Sequence, residues 1–313
     1  MDNTPKTTEP IDLASRAGKS LLSDAFRRLR RDRAAVICFV VICIYAAIAI
    51  VAPFVFADWE SSHDYENTNA APSLAQPLGT DALGRSVLQK TMLGVHVSMT
   101  VAVVCNLIAV PAGMILGAIA GYYGGRIDDV IVWLYTTMLA VPGIIRLIAI
   151  KFAFADKILF EDTFIEMDLG EGISGMYIVL AISSWIGTCR LVRAETMKLR
   201  ELDYVLAARA AGRRSFPIVI RHIIPNVFHI GIINFSLGFV GAISAEVILS
   251  YLNLGVKDMP SWGKMISQAR MDLVVGRWWE ISAAVAAMFI IVLAWNIFGD
   301  RLRDALDPKL RNV

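Results

Sequence analysis

Few side chains among these 313 residues are arranged to do covalent chemistry. Ala17-Gly18-Lys19-Ser20 ends as a phosphate-cradling P-loop does, but the first glycine such a loop needs is replaced by Leu13. No strand can be argued ahead of it, so the match is accidental. His63, His96, His222 and His229 include no HExxH pair, and His222 and His229, seven apart, read as an interfacial pair rather than metal ligands. No GxSxG nucleophile elbow occurs. Cys38, Cys43, Cys105 and Cys189 all fall in apolar stretches without CxxC spacing, which argues against a disulfide framework or a zinc site and for small buried hydrophobes. The sequence therefore supports no enzyme and no metal site. What remains is charge in costly places: Arg146 and Lys151 in one apolar stretch, Glu246 near the outer end of another, and a basic run between residues 190 and 226.

The elements that position these charges are long. Hydrophobic residues make up 56% of the chain and charged ones only 19%, against about 25% charged in an ordinary soluble domain. Residues 34–57, 91–125, 130–145, 172–189, 222–245 and 281–299 contain no Asp, Glu, Lys or Arg. A helix needs about 20 mostly apolar residues to cross a hydrocarbon core. Six such blocks predict an all-α integral membrane protein with six transmembrane helices and exclude a soluble enzyme, a disordered chain and a secreted disulfide scaffold. Block 91–125 is too long for one straight span, and Pro111, Gly113, Gly117 and Gly121 predict a kinkable, closely packed helix there. Block 130–145 is short and must continue through Arg146 to about Phe154, with a break or bend at Pro142-Gly143.

Positive charge sets the orientation. Taking the connecting segments in alternation, 21 Lys and Arg fall on one side and seven on the other. The rich side is cytoplasmic by the positive-inside rule, which places both termini inside and segments 58–90, 153–171 and 253–279 outside. The first 33 residues are too long and too charged for a signal peptide, so the first span is expected to stay as an anchor. Trp59, Trp262, Trp278 and Trp279 near outer span ends read as an interfacial aromatic belt. The outer segment 153–171 is acidic, through Asp156, Glu161, Asp162, Glu166 and Asp168, with Glu171 at its end.

The cytoplasmic run from Arg190 to Asn226 reads as a short helix-forming stretch, a glycine, and a second short amphipathic stretch, with Pro225 where the next span begins. Ala207, Ala208, Ala210 and Ala211 would let a partner backbone approach closely, and Arg209, Arg213 and Arg214 supply charge for an interface. By composition alone the better reading is an ordinary basic inside loop obeying the positive-inside rule.

Spacing decides between the two. The run from Tyr204 to Pro225 resembles the EAA loop of the membrane subunits of bacterial ABC importers. More narrowly, the chain resembles the C-type permease subunit of the dipeptide/oligopeptide/nickel branch. Four further stretches carry the likeness: Pro77 to Ser86, similar to LGTDxxGRD; Gly121 to Asp128, similar to GYxGGxxD; Glu246 to Gly255 with Pro260-Ser261-Trp262-Gly263, similar to ExxLSFLGLG and PSWG; and Gly299 to Pro308, similar to the C-terminal GDxLRDxLDP. Leu206 stands where the loop's naming glutamate would be, and Ser86 where that first motif ends in Asp.

The resemblance implies a type I permease core of spans two to six with an added N-terminal span. It divides the chain into a cytoplasmic tail (1–33), a first anchor (34–57), a periplasmic segment (58–94), a permease core (95–300) holding the coupling loop (195–221), and a cytoplasmic tail (301–313). The expected partners are a second permease chain, two cytoplasmic ATPases and a periplasmic solute-binding protein delivering a peptide-like solute across a bacterial inner membrane. ATP and Mg would be bound by the ATPases, this chain binding no cofactor, and no nucleic acid is expected. Leu206, Ala207, Ala208, Arg209, Ala211, Gly212, Arg213, Arg214 and Pro225 form the expected ATPase-coupling loop. Arg146 and Glu246 are candidates for the translocation pathway, Arg146 meeting an anionic group, while Lys151 is expected to snorkel outward beside the acidic loop. The rival class is a secondary transporter driven by an ion gradient, for which Glu246 is the one carboxylate candidate. Within the importer class, nickel chelates or sugars are the alternative cargo.

Overall fold

The computed structural model describes residues 27–154, 158–159, 167–168, 170, 172–257 and 259–306. It is helical apart from two two-residue strands, β1 (Ile158–Leu159) and β2 (Met167–Asp168), which pair antiparallel. Five helices are long and apolar enough to cross a membrane: α1 (Arg33–Val55), α2 (Val87–Tyr123), α5 (Ile173–Leu199), the stretch Ser215–Tyr251, and α10 (Trp279–Leu306). The sixth span is broken. Helices α3 (Gly125–Ala140) and α4 (Gly143–Ala153) meet at 101°, with Pro142 between them. Proline lacks an amide donor and disfavours helical backbone in the residue before it, and Val141 is indeed extended.

Helix α2 is a single helix of 37 residues, about 55 Å long. It runs through Pro111 unbroken, and its surplus length lies beyond a hydrocarbon core about 30 Å thick. Its glycines pack closely against α5. A Cβ at Gly113 would stand 2.5 Å from the Trp185 carbonyl oxygen, one at Gly117 2.5 Å from that of Cys189, and one at Gly121 2.6 Å from that of Arg193. Three glycines four residues apart thus let the backbones of α2 and α5 touch, as small residues do where lipid supplies no hydrophobic drive.

Helix α1 lies outside this pair. The Tyr45 hydroxyl donates to the Ala287 carbonyl on α10 at 2.9 Å, and His96 Nδ1 on α2 donates to the Ala49 carbonyl at 2.6 Å. Ala35, Cys38, Ile42, Tyr45, Ala49 and Ala52 face the bundle, and the opposite stripe is exposed. Cys38, Cys105 and Cys189 are buried as expected, whereas Cys43 lies on that exposed face, and none is disulfide-bonded. Arg301 near the end of α10 pairs with Asp32 at the start of α1 at 3.2 Å, which puts these two helix ends at one end of the bundle.

Candidate coupling surface

At the end of the bundle where α2 and α5 finish, the chain makes an elbow. Helix α6 (Asp203–Ala210) is followed by a glycine turn, the single turn α7 (Ser215–Ile218), a π-helical turn (Val219–Ile223), and α8 (Ile224–Tyr251). Asp203 in the first turn of α6 suits the positive end of its dipole. At the other end, Arg213 N–H donates to Ala208 O and Gly212 N–H to Arg209 O, at 3.2 and 3.0 Å. These are the paired bonds of a Schellman stop, which needs a left-handed residue. Gly212, at φ +75°, provides it, and a Cβ there would meet nothing within 4 Å. Pro225 occupies the first turn of α8, where its missing donor costs nothing.

Burial divides the elbow into an anchor and a free face. Val205, Ile218, Val219 and Ile223 pack with Val110, Met114 and Tyr122 of α2 and Val192 of α5, with Ala208 against the same cluster. Leu206, Ala207, Arg209, Ala211, Gly212, Arg213, Arg214 and Pro225 are all exposed. Leu206 (42%) and Phe216 (66%) add apolar surface between the arginines. Arg209 also stands over the Tyr122 ring at 5.5 Å, and Arg213 donates to His222 Nε2 at 3.3 Å, so these two cations are held on the elbow rather than trailing from it. Beneath it, a fork-to-fork pair joins Arg193 of α5 to Asp128 of α3, with NH2 to Oδ2 at 2.6 Å.

The opposite end holds a buried charge cluster that the sequence reading did not assemble. Lys90, in the first turn of α2 and 2% exposed, donates to Asp81 Oδ2 (3.1 Å), Glu280 Oε1 (2.6 Å) and Gln268 Oε1 (3.0 Å). Asp81 also accepts two bonds from the Arg85 guanidinium and two from the backbone amides of Leu83 and Arg85. Burial pushes the Asp81 carboxyl up, but Lys90 and Arg85 outweigh it and hold the group below the usual carboxylate range. Arg85 in turn stacks on Trp59, 4.1 Å from its ring. Three of the four belt tryptophans turn inward: Trp59 donates to Ser86 O, Trp262 to Thr91 O and Trp279 to Thr80 O, and Trp278 alone is exposed. Their indole N–H groups tie these segments to the start of α2 and the loop before it, so these three rings are part of the packing rather than an interfacial belt. The Asp81 and Arg85 of the LGTDxxGR-like stretch were visible in sequence, but their partner Lys90 had entered only the charge count.

Both pathway candidates are held by bonds to neighbouring segments. Glu246 is 0% exposed and accepts from Ser98 on α2 and from Ser250, each at 2.7 Å, and from Ser261. It joins α2, α8 and α9 (Trp262–Val274). Arg146 donates through Nε to Ser183 Oγ at 2.7 Å and through NH1 to the carbonyls of Met138 (2.7 Å) and Val141 (3.4 Å). These three acceptors are neutral: the guanidinium caps the broken end of α3 and ties it to α5. Lys151 is buried at 5% exposure rather than extended to the interface. The acidic side chains of 156–171 lie outside the described residues, as do Gly18, Lys19 and Ser20 and the C-terminal Asp307-Pro308. No group of three or more metal-ligating side chains occurs among the described residues.

Five long apolar helices and one broken span, with an exposed basic elbow at one end, define a multi-span membrane protein. A chain of an inward-facing MetNI methionine ABC transporter has the same type I permease fold, with a TM-score of 0.51 over 71% of this chain and 96% of that one at 14% identity. The protein belongs to the family described as binding-protein-dependent transport system inner membrane components, which matches residues 113–312. Residues 20–77 match the N-terminal TM domain of oligopeptide transport permease C. Among its relatives, the dipeptide transport system permease protein DppC of Bacillus subtilis is 30% identical, over 99% of this chain and 92% of its own. The glutathione transport system permease protein GsiD of Pectobacterium atrosepticum is 34% identical, over 92% and 91%.

Proposed function

We propose that this chain is one of two permease subunits of an ATP-driven importer of short peptides, and that cytoplasmic ATPases dock on the α6–α7 elbow. The observation that carries the reading is the elbow itself: one face anchored on α2 and α5, the other presenting Leu206, Phe216 and a set of arginines with the stop at Gly212 already formed. Such a piece is built to receive a partner and to pass a push to the spans beneath it. Relatives named for dipeptide, oligopeptide and glutathione transport share a solute with peptide bonds and charged ends, and support that cargo class for this chain. The chain hydrolyses nothing in this scheme, and ATP and Mg belong to the docked subunits. The basic side faces the cytoplasm with both termini, in a bacterial inner membrane, and a solute-binding protein delivers from the opposite side.

Reconstitution tests the proposal. Vesicles carrying this chain with its companion permease and ATPases should take up labelled di- or tripeptide only with ATP and binding protein. Uptake by this chain alone on an ion gradient would replace the reading with the secondary-transporter one. Cysteine labelling from outside should reach a probe at Ser61 and not one at Ser215; the reverse pattern would place the elbow on the wrong side for an ATPase.

A further inference from the structure

Immediately before α1 the chain forms a short helical stretch over residues 27–31, and Arg27, Arg28, Arg30, Arg31 and Arg33 are all exposed. The end of α10 adds Arg301 and Arg303, so residues 27–33 and 301–305 together hold seven arginines against two aspartates. One of those aspartates is already engaged: Asp32 accepts from the Ala34 and Ala35 amides as the α1 cap and from Arg301. A groove of about 180 Å³ lies among Arg28, Leu29, Asp32, Arg301, Asp304 and Ala305. The helix above it is exposed along one stripe, Arg33, Ile37, Val40, Ile44 and Val51, directly opposite the stripe that packs on the bundle. In a helix of 3.6 residues per turn these positions lie one above another. An exposed apolar stripe therefore ends in a dense arginine collar.

We infer that this collar binds the phosphodiester headgroups of anionic phospholipid, with the acyl chains lying along the Ile37–Val40–Ile44 stripe. The planar guanidinium matches phosphate oxygens bidentately, and basic clusters next to a span attract anionic lipid within a Debye length. A bare topology signal needs only positive charge in this segment. It does not need an exposed apolar stripe continuous with the charges, nor the anchoring of Arg301 to the α1 cap. The inference rests on the chain being a membrane protein and is independent of the ATPase reading.

The test uses the assembled transporter in detergent, mixed with equal amounts of phosphatidylglycerol and phosphatidylcholine and examined by native mass spectrometry. Wild type should retain phosphatidylglycerol preferentially, and R27Q/R28Q/R30Q/R31Q should lower that preference about tenfold while R27K/R28K/R30K/R31K largely keeps it. Equal retention of the two lipids by wild type, or an unchanged preference in the Gln variant, would overturn the assignment. So would a Gln variant that sheds the ATPase while keeping its lipids, since the collar would then be a protein-docking surface. Should the Gln variant fail to insert, wild type in mixed vesicles decides: spin-labelled phosphatidylglycerol should be enriched at α1 at low salt and lose that enrichment near 1 M salt, where screening reaches about 3 Å. Enrichment that ignores salt rejects the collar.

Discussion

The two ends of the bundle are built on different principles. The end holding Lys90 buries its charges and pairs them: Asp81, Glu280 and Gln268 surround one ammonium, and three indoles donate to backbone carbonyls around it. The elbow end rests on a mainly apolar cluster and leaves the arginines of the elbow at the surface. Buried charge is tolerable only in one geometry, because moving either partner exposes the other to a medium that cannot solvate it. Apolar contacts are less exacting about direction. One end is thus fixed in a single arrangement, and the other can shift on its anchor.

Lys90→Met breaks this contrast most severely. It leaves Asp81 and Glu280 buried without their shared cation, an error typically costing about 3–5 kcal/mol. The purified chain should show a large fall in thermal stability or fail to accumulate. Near-normal stability would mean the outer end is no lock. The same cluster should make that end acid-sensitive. Since the Asp81 carboxyl is held below its ordinary range, its contribution is fully present above the unfolded value of about 3.9. It is lost as pH falls through the lower native value, because the unfolded chain then binds the proton more readily. Acid unfolding below about pH 4 should soften in Asp81→Asn, and an identical acid limb would remove Asp81 from the cluster's energetics.

At the elbow the expected stability effects are smaller and the functional ones larger. Gly212→Val places a β-branched residue at φ +75° in open space, costing about 1–2 kcal/mol of backbone strain. Insertion should survive and ATP-driven uptake should collapse; wild-type uptake would sink the lever role. Arg213→Gln with Arg214→Gln should change stability by less than about 0.5 kcal/mol, as exposed substitutions do. It should weaken ATPase retention on purification, and an unaltered complex would remove these two charges from the interface.

The parts of this design readable in the sequence are the ones written locally. Six uncharged blocks, the break at Pro142-Gly143 and the stop at Gly212 each depend on neighbours a few residues away. The outer lock is not local: Lys90 meets Glu280 across 190 positions and Ser98 meets Glu246 across 148. Nothing in the spacing of those residues tells a partner from a solvated charge. For the same reason the spacing around Arg146 and Glu246 does not reveal their distant partners, Ser183 on α5 for Arg146 and Ser98 on α2 for Glu246. The tryptophans misled because an indole near a span end satisfies its N–H equally well on a headgroup or on a folded-back carbonyl.

The break between α3 and α4 has a thermodynamic consequence. Unwound helices in gradient-driven carriers offer bare carbonyl oxygens to sodium, and the ion's binding there supplies the driving force. In this chain two such oxygens, those of Met138 and Val141, are bonded to the guanidinium of Arg146. A cation approaching the break meets a fixed positive charge in possession of the ligands it would need. An ion could bind at this break only by first displacing the guanidinium, so the fold has spent on an internal cation the oxygens that an external one would use.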